Sequence, residues 1–134
     1  MTGKVLRIRK RYNWIQGVYR SPKSMKLHNF KSSWELNLYK FLDGCKYVKA
    51  WESECVKIPY KYRGRVKRYL PDVLINNRLL LEVKPKNQIG WPINVAKFRS
   101  AKEFCKVKGW SFKVVTKELL NPIYLTEQII GKGE

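Results

Sequence analysis

Apolar and polar positions along this chain alternate with two periods, and the switches between them mark its elements. From Tyr69 to Lys86, YLPDVLINNRLLLEVKPK, the pattern predicts two strands joined by a tight turn at Asn76-Asn77-Arg78. The second strand, Leu79 to Val83 or slightly beyond, sets Leu79, Leu81 and Val83 on one face and Glu82 and Lys84 on the other. Asp72 opens the first strand behind Pro71, which can stand at a strand's first residue without forfeiting a needed donor. Turn length then decides the chemistry. A two-residue loop pairs Ile75 with Arg78, sets Asp72 opposite Leu81 and sends the two carboxylates to opposite faces. A three-residue loop pairs Asp72 with Glu82 and keeps them together. A site shared by both acids therefore requires the longer loop, or a bulge near Asp72.

Helical spacing appears in two further stretches. In Ser32–Asp43, SSWELNLYKFLD, the residues Trp34, Leu38, Phe41 and Leu42 recur on one side, Ser32-x-x-Glu35 fits a capping box, and Gly44 offers a stop. A second helix, roughly Asn94 to Lys108 and ending at Gly109, carries Phe98, Ala101, Phe104 and Cys105 as its inward stripe. A strand over Trp110–Thr116 follows, and strand–helix–strand order predicts a right-handed crossover with parallel pairing. Residues 47–60 read as one or two strands broken by Glu52-Ser53-Glu54, and KYRGRVKR (61–68) as a hairpin turn leading into the Pro71-Asp72 strand. PKNQIGWP reads as a loop, and NPIYLTEQIIGKGE as one short helix. Near the N-terminus VLRIRKRY alternates as a short strand would, whereas GVYRSPKSMKLHNF looks loop-rich.

Composition adds a partner. The 134 residues suit one domain with a modest core. Against 10 acidic residues stand 29 basic ones, a net charge of +19. Such an excess favours a polyanion, most simply nucleic acid, with an anionic membrane surface as the competitor. No apolar run approaches the roughly 18 residues needed to span a bilayer, no signal-peptide pattern opens the chain, and no basic amphipathic helix stands out. The reading is therefore of a protein that is not secreted and not membrane-bound. The first 34 residues hold nine Lys or Arg and no acid, mixed with Tyr12, Trp14, Tyr19 and Phe30. They read either as a basic arm lying along phosphates with aromatics for stacking, or as a solvated, partly disordered terminus. Cys45, Cys55 and Cys105 are odd in number and, with the single His28, give no zinc-ligand spacing; they read as reduced thiols packed in the core.

A carboxylate and an ammonium on one face of a largely buried strand need a partner or a metal. Asp72 and Glu82 converging with Lys84 make a site of oxygen ligands for a hard cation, with the lysine placed to stabilise negative charge or hold a water nucleophile. The same spacing also occurs in ordinary salt-bridged hairpins. Glu35 either closes its capping box or reaches the hairpin as a further acid, and one side chain can do both. Arg63, Arg65, Lys67 and Arg68, gathered around Gly64, suit a phosphodiester substrate or serve only solubility. Lys86, Gln88, Asn94 and Lys97, close to the end of the Glu82 strand, could reach substrate phosphates or simply face solvent.

A helix with an early Glu, then Pro-Asp, then Glu-x-Lys ten residues after the Asp, then a helix and a strand, resembles the PD-(D/E)xK nuclease superfamily. The blocks KSSWELNLYKFLD, KAWESECVKIPY, GRVKRYLPD, LLLEVKPKNQ and AKEFCKVKGWSFKVVT resemble, in that order, the head-completion nucleases of T-even-type tailed phages. The likeness covers about residues 17–120. It extends more distantly to the endonuclease subunit of heteromeric transposition systems and to a phage Holliday-junction resolvase. What it implies is an α/β, restriction-endonuclease-like core: a mixed β-sheet flanked by helices. A single nuclease domain would then span residues 1–134, with a basic arm over 1–16, the core over 17–120 and a tail over 121–134. Asp72 and Glu82, with Glu35, would bind one or two Mg2+ (Mn2+ substituting), Lys84 would be the catalytic lysine, and Gln88 would match a polar position that often follows it. Val73 departs from the pattern, in which an aromatic commonly follows Pro-Asp. The implied activity is endonucleolytic hydrolysis of DNA in head completion, packaging or DNA processing, in the host cytoplasm or associated with the virion. Phage head or packaging proteins and a second copy of the chain are the further partners the likeness leaves open. Two rivals stand beside it: a junction or flap resolvase, and a non-catalytic basic protein that binds DNA or capsid.

Overall fold

The structure, a computed structural model, describes residues 3–11 and 14–131, without the side chains of Arg11 and Trp14. Tyr12 and Trp14, two of the aromatics expected to stack, and the end of the tail at 132–134 thus lie outside the description. The chain forms two compact units: one of Met1–Glu52 with Asn121–Glu134, the other of Ser53–Leu120.

The first unit begins with strands β1 (Lys4–Arg11), β2 (Trp14–Arg20) and β3 (Leu27–Phe30), an antiparallel sheet in that order. The stretch expected to be loop-rich is therefore largely strand. Its inward positions, Tyr19, His28 and Phe30, are buried, and a histidine and a tyrosine there hide the apolar alternation that would have announced the strands. Burying the Tyr19 hydroxyl is matched by Asp43. This carboxylate accepts from the Tyr19 hydroxyl at 2.7 Å, the Ser21 hydroxyl at 2.6 Å and the Trp51 indole N–H at 2.9 Å, so a buried charge is fully bonded. His28 stacks on Trp51 at 4.2 Å and bonds the Ser24 hydroxyl at 2.6 Å. At Gly17 a Cβ would stand 1.8 Å from the Arg7 carbonyl oxygen and 2.7 Å from the Phe30 ring, so only glycine lets β1 and β2 come this close.

Helix α1 (Ser33–Gly44) starts on Ser32, whose side chain accepts from the Glu35 N–H. It buries Leu36, Leu38, Tyr39, Leu42 and Asp43, while Trp34 and Phe41, expected on the inward side, are half-buried. Gly44 does not make the expected left-handed stop: the helix runs through it to an extended Cys45. The last carbonyls are capped instead by the Lys23 ammonium, which donates to Leu42 at 2.8 Å and Cys45 at 2.6 Å. The unit closes with α3 (Pro122–Ile130), the expected short helix, capped by Asn121.

Strand β4 (Trp51–Ser53) ends where the second unit begins. That unit contains a hairpin, β5 (Ile58–Tyr62) and β6 (Arg65–Tyr69), then β7 (Val73–Ile75), β8 (Leu79–Lys84), α2 (Pro92–Lys108) and β9 (Ser111–Thr116). β7 pairs antiparallel and β9 parallel with β8, giving the mixed sheet of the expected restriction-endonuclease-like α/β core. Parallel pairing needs the long crossover that α2 supplies. Every residue of β8 up to Val83 is buried, as befits a central strand. Leu74 and Leu80 meet Phe98, Ala101 and Cys105 of α2, with Ile58, Tyr60 and Tyr69 completing that core. Each large apolar side chain so buried contributes about 1.5–3 kcal/mol. α2 starts slightly earlier than its pattern suggested because Pro92 is well suited to a first helical turn; Gly109, at φ 73°, ends it.

Candidate active site

The hairpin pairs Ile75 with Leu79, Leu74 with Leu80 and Val73 with Leu81, leaving the three-residue loop Asn76-Asn77-Arg78. Asn76 and Asn77 take φ of 55° and 53°, a left-handed conformation that asparagine tolerates better than most residues, and the Arg78 N–H closes the turn on the Ile75 carbonyl at 3.1 Å. This register makes Asp72 and Glu82 the next pair, on the same face as Leu74 and Leu80.

Side-chain bonds lock the two acids together. The Asp72 N–H donates to Glu82 Oε1 at 3.1 Å, and Asp72 Oδ2 accepts from the Val83 N–H at 2.7 Å. Lys84 Nζ lies 3.5 Å from Glu82 Oε2. From the other side the Glu54 N–H holds the Asp72 carbonyl at 3.0 Å. Glu82 is 3% exposed. Burial pushes its carboxyl pKa up; the Lys84 charge and the Asp72 N–H pull against that without cancelling it. Beside it the buried Tyr69 hydroxyl has no hydrogen bond of proper geometry among the described residues, yet it is near enough to Glu82 for each group to shift the other. Burial and then the carboxylate push the phenol far above its ordinary value.

Lys97, on the first turns of α2, belongs to the same site. Its ammonium sits over the rings of Tyr60 at 5.8 Å and Tyr69 at 5.6 Å. Burial first, and then the Lys84 charge, push its pKa down, while Glu82 opposes. Tyr60 and Tyr69 were not picked out from sequence. Only pairing of β5 with β6, which sets Tyr60 opposite Lys67 and Ile58 opposite Tyr69, puts them on the side facing α2.

The remaining candidates separate. Arg63, Arg65, Lys67 and Arg68 are all exposed. Arg63 is in the tight turn with Gly64, its guanidinium 5.2 Å from the Tyr62 ring. Arg65 and Lys67 share the face of Tyr60 and Tyr69, whereas strand alternation turns Arg68 to the opposite face. Lys86 is exposed, with its backbone N–H on Glu118 at 3.2 Å, and Gln88 lies half-buried on the short 3-10 turn Lys86–Gln88. Asn94 is 3% exposed and its amide donates to the Gln88 carbonyl at 2.8 Å, so it ties the loop down and is not presented to a substrate. Glu35 fills its capping box: Oε1 accepts from the Lys31 N–H at 2.9 Å and the Ser32 hydroxyl at 3.1 Å.

Among the described residues no three His, Cys, Asp or Glu side chains gather as a ligand cluster. The pair Asp72 and Glu82 nevertheless fits a hard divalent cation by donor type. Two carboxylates, one of them buried with its charge incompletely offset, suit Mg2+, which commonly takes one or two carboxylates and leaves its other positions to water and phosphate.

Residues 45–117, more than half of the chain, match the family described as TnsA-like endonuclease N terminal. That span includes Asp72, Glu82, Lys84, Gln88 and Lys97 but not Glu35. The chain is also similar to the head completion nuclease of Enterobacteria phage T4: 23% identical over 122 residues, covering 70% of this chain and 81% of that protein.

Proposed function

The chain belongs to the TnsA-like endonuclease N-terminal family, and from that premise we propose that it is a Mg2+-dependent endonuclease cutting DNA phosphodiester bonds at Asp72, Glu82 and Lys84. The nuclease character follows from the family; the metal, the substrate and the residue roles are this reading's own. The observation that carries it is the register of the hairpin, which sets Glu82 Oε1 on the Asp72 N–H and Lys84 beside Glu82 Oε2.

Asp72 and Glu82 would hold the cation, with the Val83 carbonyl assisting and Mn2+ able to substitute. Such an ion, when bound, would neutralise phosphoryl charge and make water more acidic. Lys84 orients the water nucleophile. Lys97, its charged form disfavoured by burial and by Lys84, can take up a proton near the reacting phosphate and stabilise negative charge there. Lys67 and Arg65, on the same side of the β5–β6 hairpin, hold the flanking backbone without reading bases; Arg63, Arg68 and Lys86 add affinity from the rim. Gln88 would orient phosphate or water. Glu35 belongs to the first unit, where its Oε1 serves the helix cap. The setting we favour is head completion or packaging in a tailed phage, which the likeness to the T4 head completion nuclease supports.

Supercoiled plasmid tests this directly. With Mg2+ the protein nicks it, Asp72→Ala and Lys84→Ala lower the rate by at least about a hundredfold, and EDTA abolishes it. Equal nicking by wild type and Asp72→Ala would sink the assignment. No cutting by any form, with Mg2+ or Mn2+, would leave a basic binding protein that keeps the fold. Flap and four-way-junction substrates, run in parallel, identify the preferred geometry.

A further inference from the structure

Aromatics in the first 34 residues suggest stacking, but the structure removes two of them: Tyr19 and Phe30 are 0% and 1% exposed. One face of the first unit's sheet is rich in exposed charge. β1 and β2 pair Val5 with Tyr19 and then Arg7 with Val18, so Leu6 is an extra residue, a β-bulge. The bulge decides which β1 side chains share a face with Val18 and Gln16. In unbroken register Leu6, Ile8 and Lys10 would join Val18 and Gln16. With it, Arg7 stands opposite Val18 and Arg9 opposite Gln16. Lys4 and Arg20 pair at one end of this face, and Asn29, opposite Val18, continues it into β3. Lys4, Arg7, Arg9, Arg20, Asn29 and Lys31 are all exposed. Arg7, Arg9, Gln16, Asn29 and Lys31 line an open concavity of about 260 Å³.

We infer that this outer sheet face is a docking surface for the phosphodiester backbone of DNA, built into the first unit and independent of the catalytic residues. It shares with the nuclease reading only the premise that DNA is the ligand. Arginines two apart on a strand stand roughly 7 Å apart, a spacing comparable to that of successive phosphates along one nucleic-acid strand. Guanidinium forks suit phosphate oxygens bidentately, and Gln16 and Asn29 add neutral hydrogen-bonding amides to the same face. No carboxylate occurs in the first 34 residues to repel a polyanion. Glu35 is the acid at the Lys31 end, and its Oε1 is engaged by the helix cap. An acidic protein segment would also meet positive charge here, but has no need of regularly spaced forks.

The test uses the full chain as Asp72→Ala in EDTA, so that nothing is cut, with a fluorescent 20-base-pair duplex of arbitrary sequence titrated at several salt concentrations. Arg7→Ala/Arg9→Ala/Lys31→Ala should weaken binding at least about tenfold at 0.1 M salt and lower the slope of log K against log salt by about 0.9 for each phosphate no longer neutralised. A control removing equal charge from exposed positions of the second unit, Lys102→Ala/Lys106→Ala/Lys117→Ala, should change both much less. Arg7→Lys/Arg9→Lys keeps the charge but not the forks, so it should keep the wild-type salt slope and lose less affinity than the alanine triple, which separates weakened phosphate binding from a damaged sheet. Equal losses in the two alanine triples would overturn the inference, as would a labelled polyglutamate that binds as tightly as the duplex and loses as much with the first triple. Because cleavage plays no part, failure here leaves the nuclease reading standing, and failure to nick plasmid leaves this one readable.

Discussion

At Glu82 the proposed function and stability conflict. Its carboxylate is buried, one oxygen rests on the Asp72 N–H, the other has Lys84 at 3.5 Å, and the net effect still disfavours its charge. Such a group is easier to bury neutral, yet it would have to be ionised to hold the proposed cation, a cost the fold would carry for the sake of that site. Glutamine keeps the shape and an oxygen able to accept from Asp72 while removing the charge. Glu82→Gln should therefore raise the melting temperature in EDTA by a few degrees and abolish cleavage. Adding Mg2+ should raise the melting temperature of the wild type, because a ligand that binds only the folded state stabilises it, and should do nothing for the variant. Differential scanning fluorimetry with and without Mg2+ reads both effects. A wild type indifferent to Mg2+ would argue against a site at this pair.

The β7–β8 hairpin was legible as an element because its information is local: a strand break at Pro71, alternation from Leu79 to Lys84, and a turn whose length alone sets which side chains share a face. The β5–β6 hairpin and α2 were legible for the same reason, through Gly64 and the Phe98–Ala101–Cys105 stripe. β2 and β3 were not. Their inward positions include His28 and are followed by Ser21, polar groups whose burial makes sense only once Asp43 and Trp51, from later segments, come to meet them. Tyr60, Tyr69 and Lys97 likewise form one cluster only across three elements. The hairpin's dependence on turn length has a direct consequence. Asn77→Gly, which eases the positive φ, should leave activity and Mg2+ response intact. Deleting Asn77 removes the residue that keeps Asp72 opposite Glu82. A one-residue slip would send Asp72 or the buried Val73, Leu74 and Ile75 to the wrong face, so the deletion should lower the melting temperature and eliminate the Mg2+-induced rise and the nicking together. A deletion variant that still cuts at wild-type rate would show that the shared face is not what matters.

At the scale of the whole molecule, His28 in the first unit and Glu82 in the second are both buried, and their effects run in opposite directions with pH. In the first unit burial pushes the His28 imidazole down to about 4. Its folded pKa lies below the unfolded value of 6.5, so the unfolded chain binds the proton more readily. Stability is full above pH 6.5 and is lost as pH falls toward 4, by at most about 3 kcal/mol. In the second unit burial pushes Glu82 above its ordinary 4.5. There the folded chain binds the proton more readily, so its contribution is most favourable below pH 4.5 and is lost as pH rises through the shifted value. Acidification from neutrality thus weakens the sheet that rests on His28 while relieving the site that holds Glu82. Thermal scans from pH 4 to 8 in EDTA on three proteins separate the two. Relative to wild type, His28→Gln should flatten the acid side of the stability profile even if it lowers the whole curve, since it removes the stack on Trp51. Glu82→Gln should flatten the profile above pH 4.5 and leave the acid-side loss due to His28 more prominent. If His28→Gln keeps the wild-type acid slope, another group drives acid unfolding. If Glu82→Gln gains no stability relative to wild type as pH rises, the carboxylate is solvated well enough to be ionised without cost, and the conflict between burial and cation binding at this site does not exist.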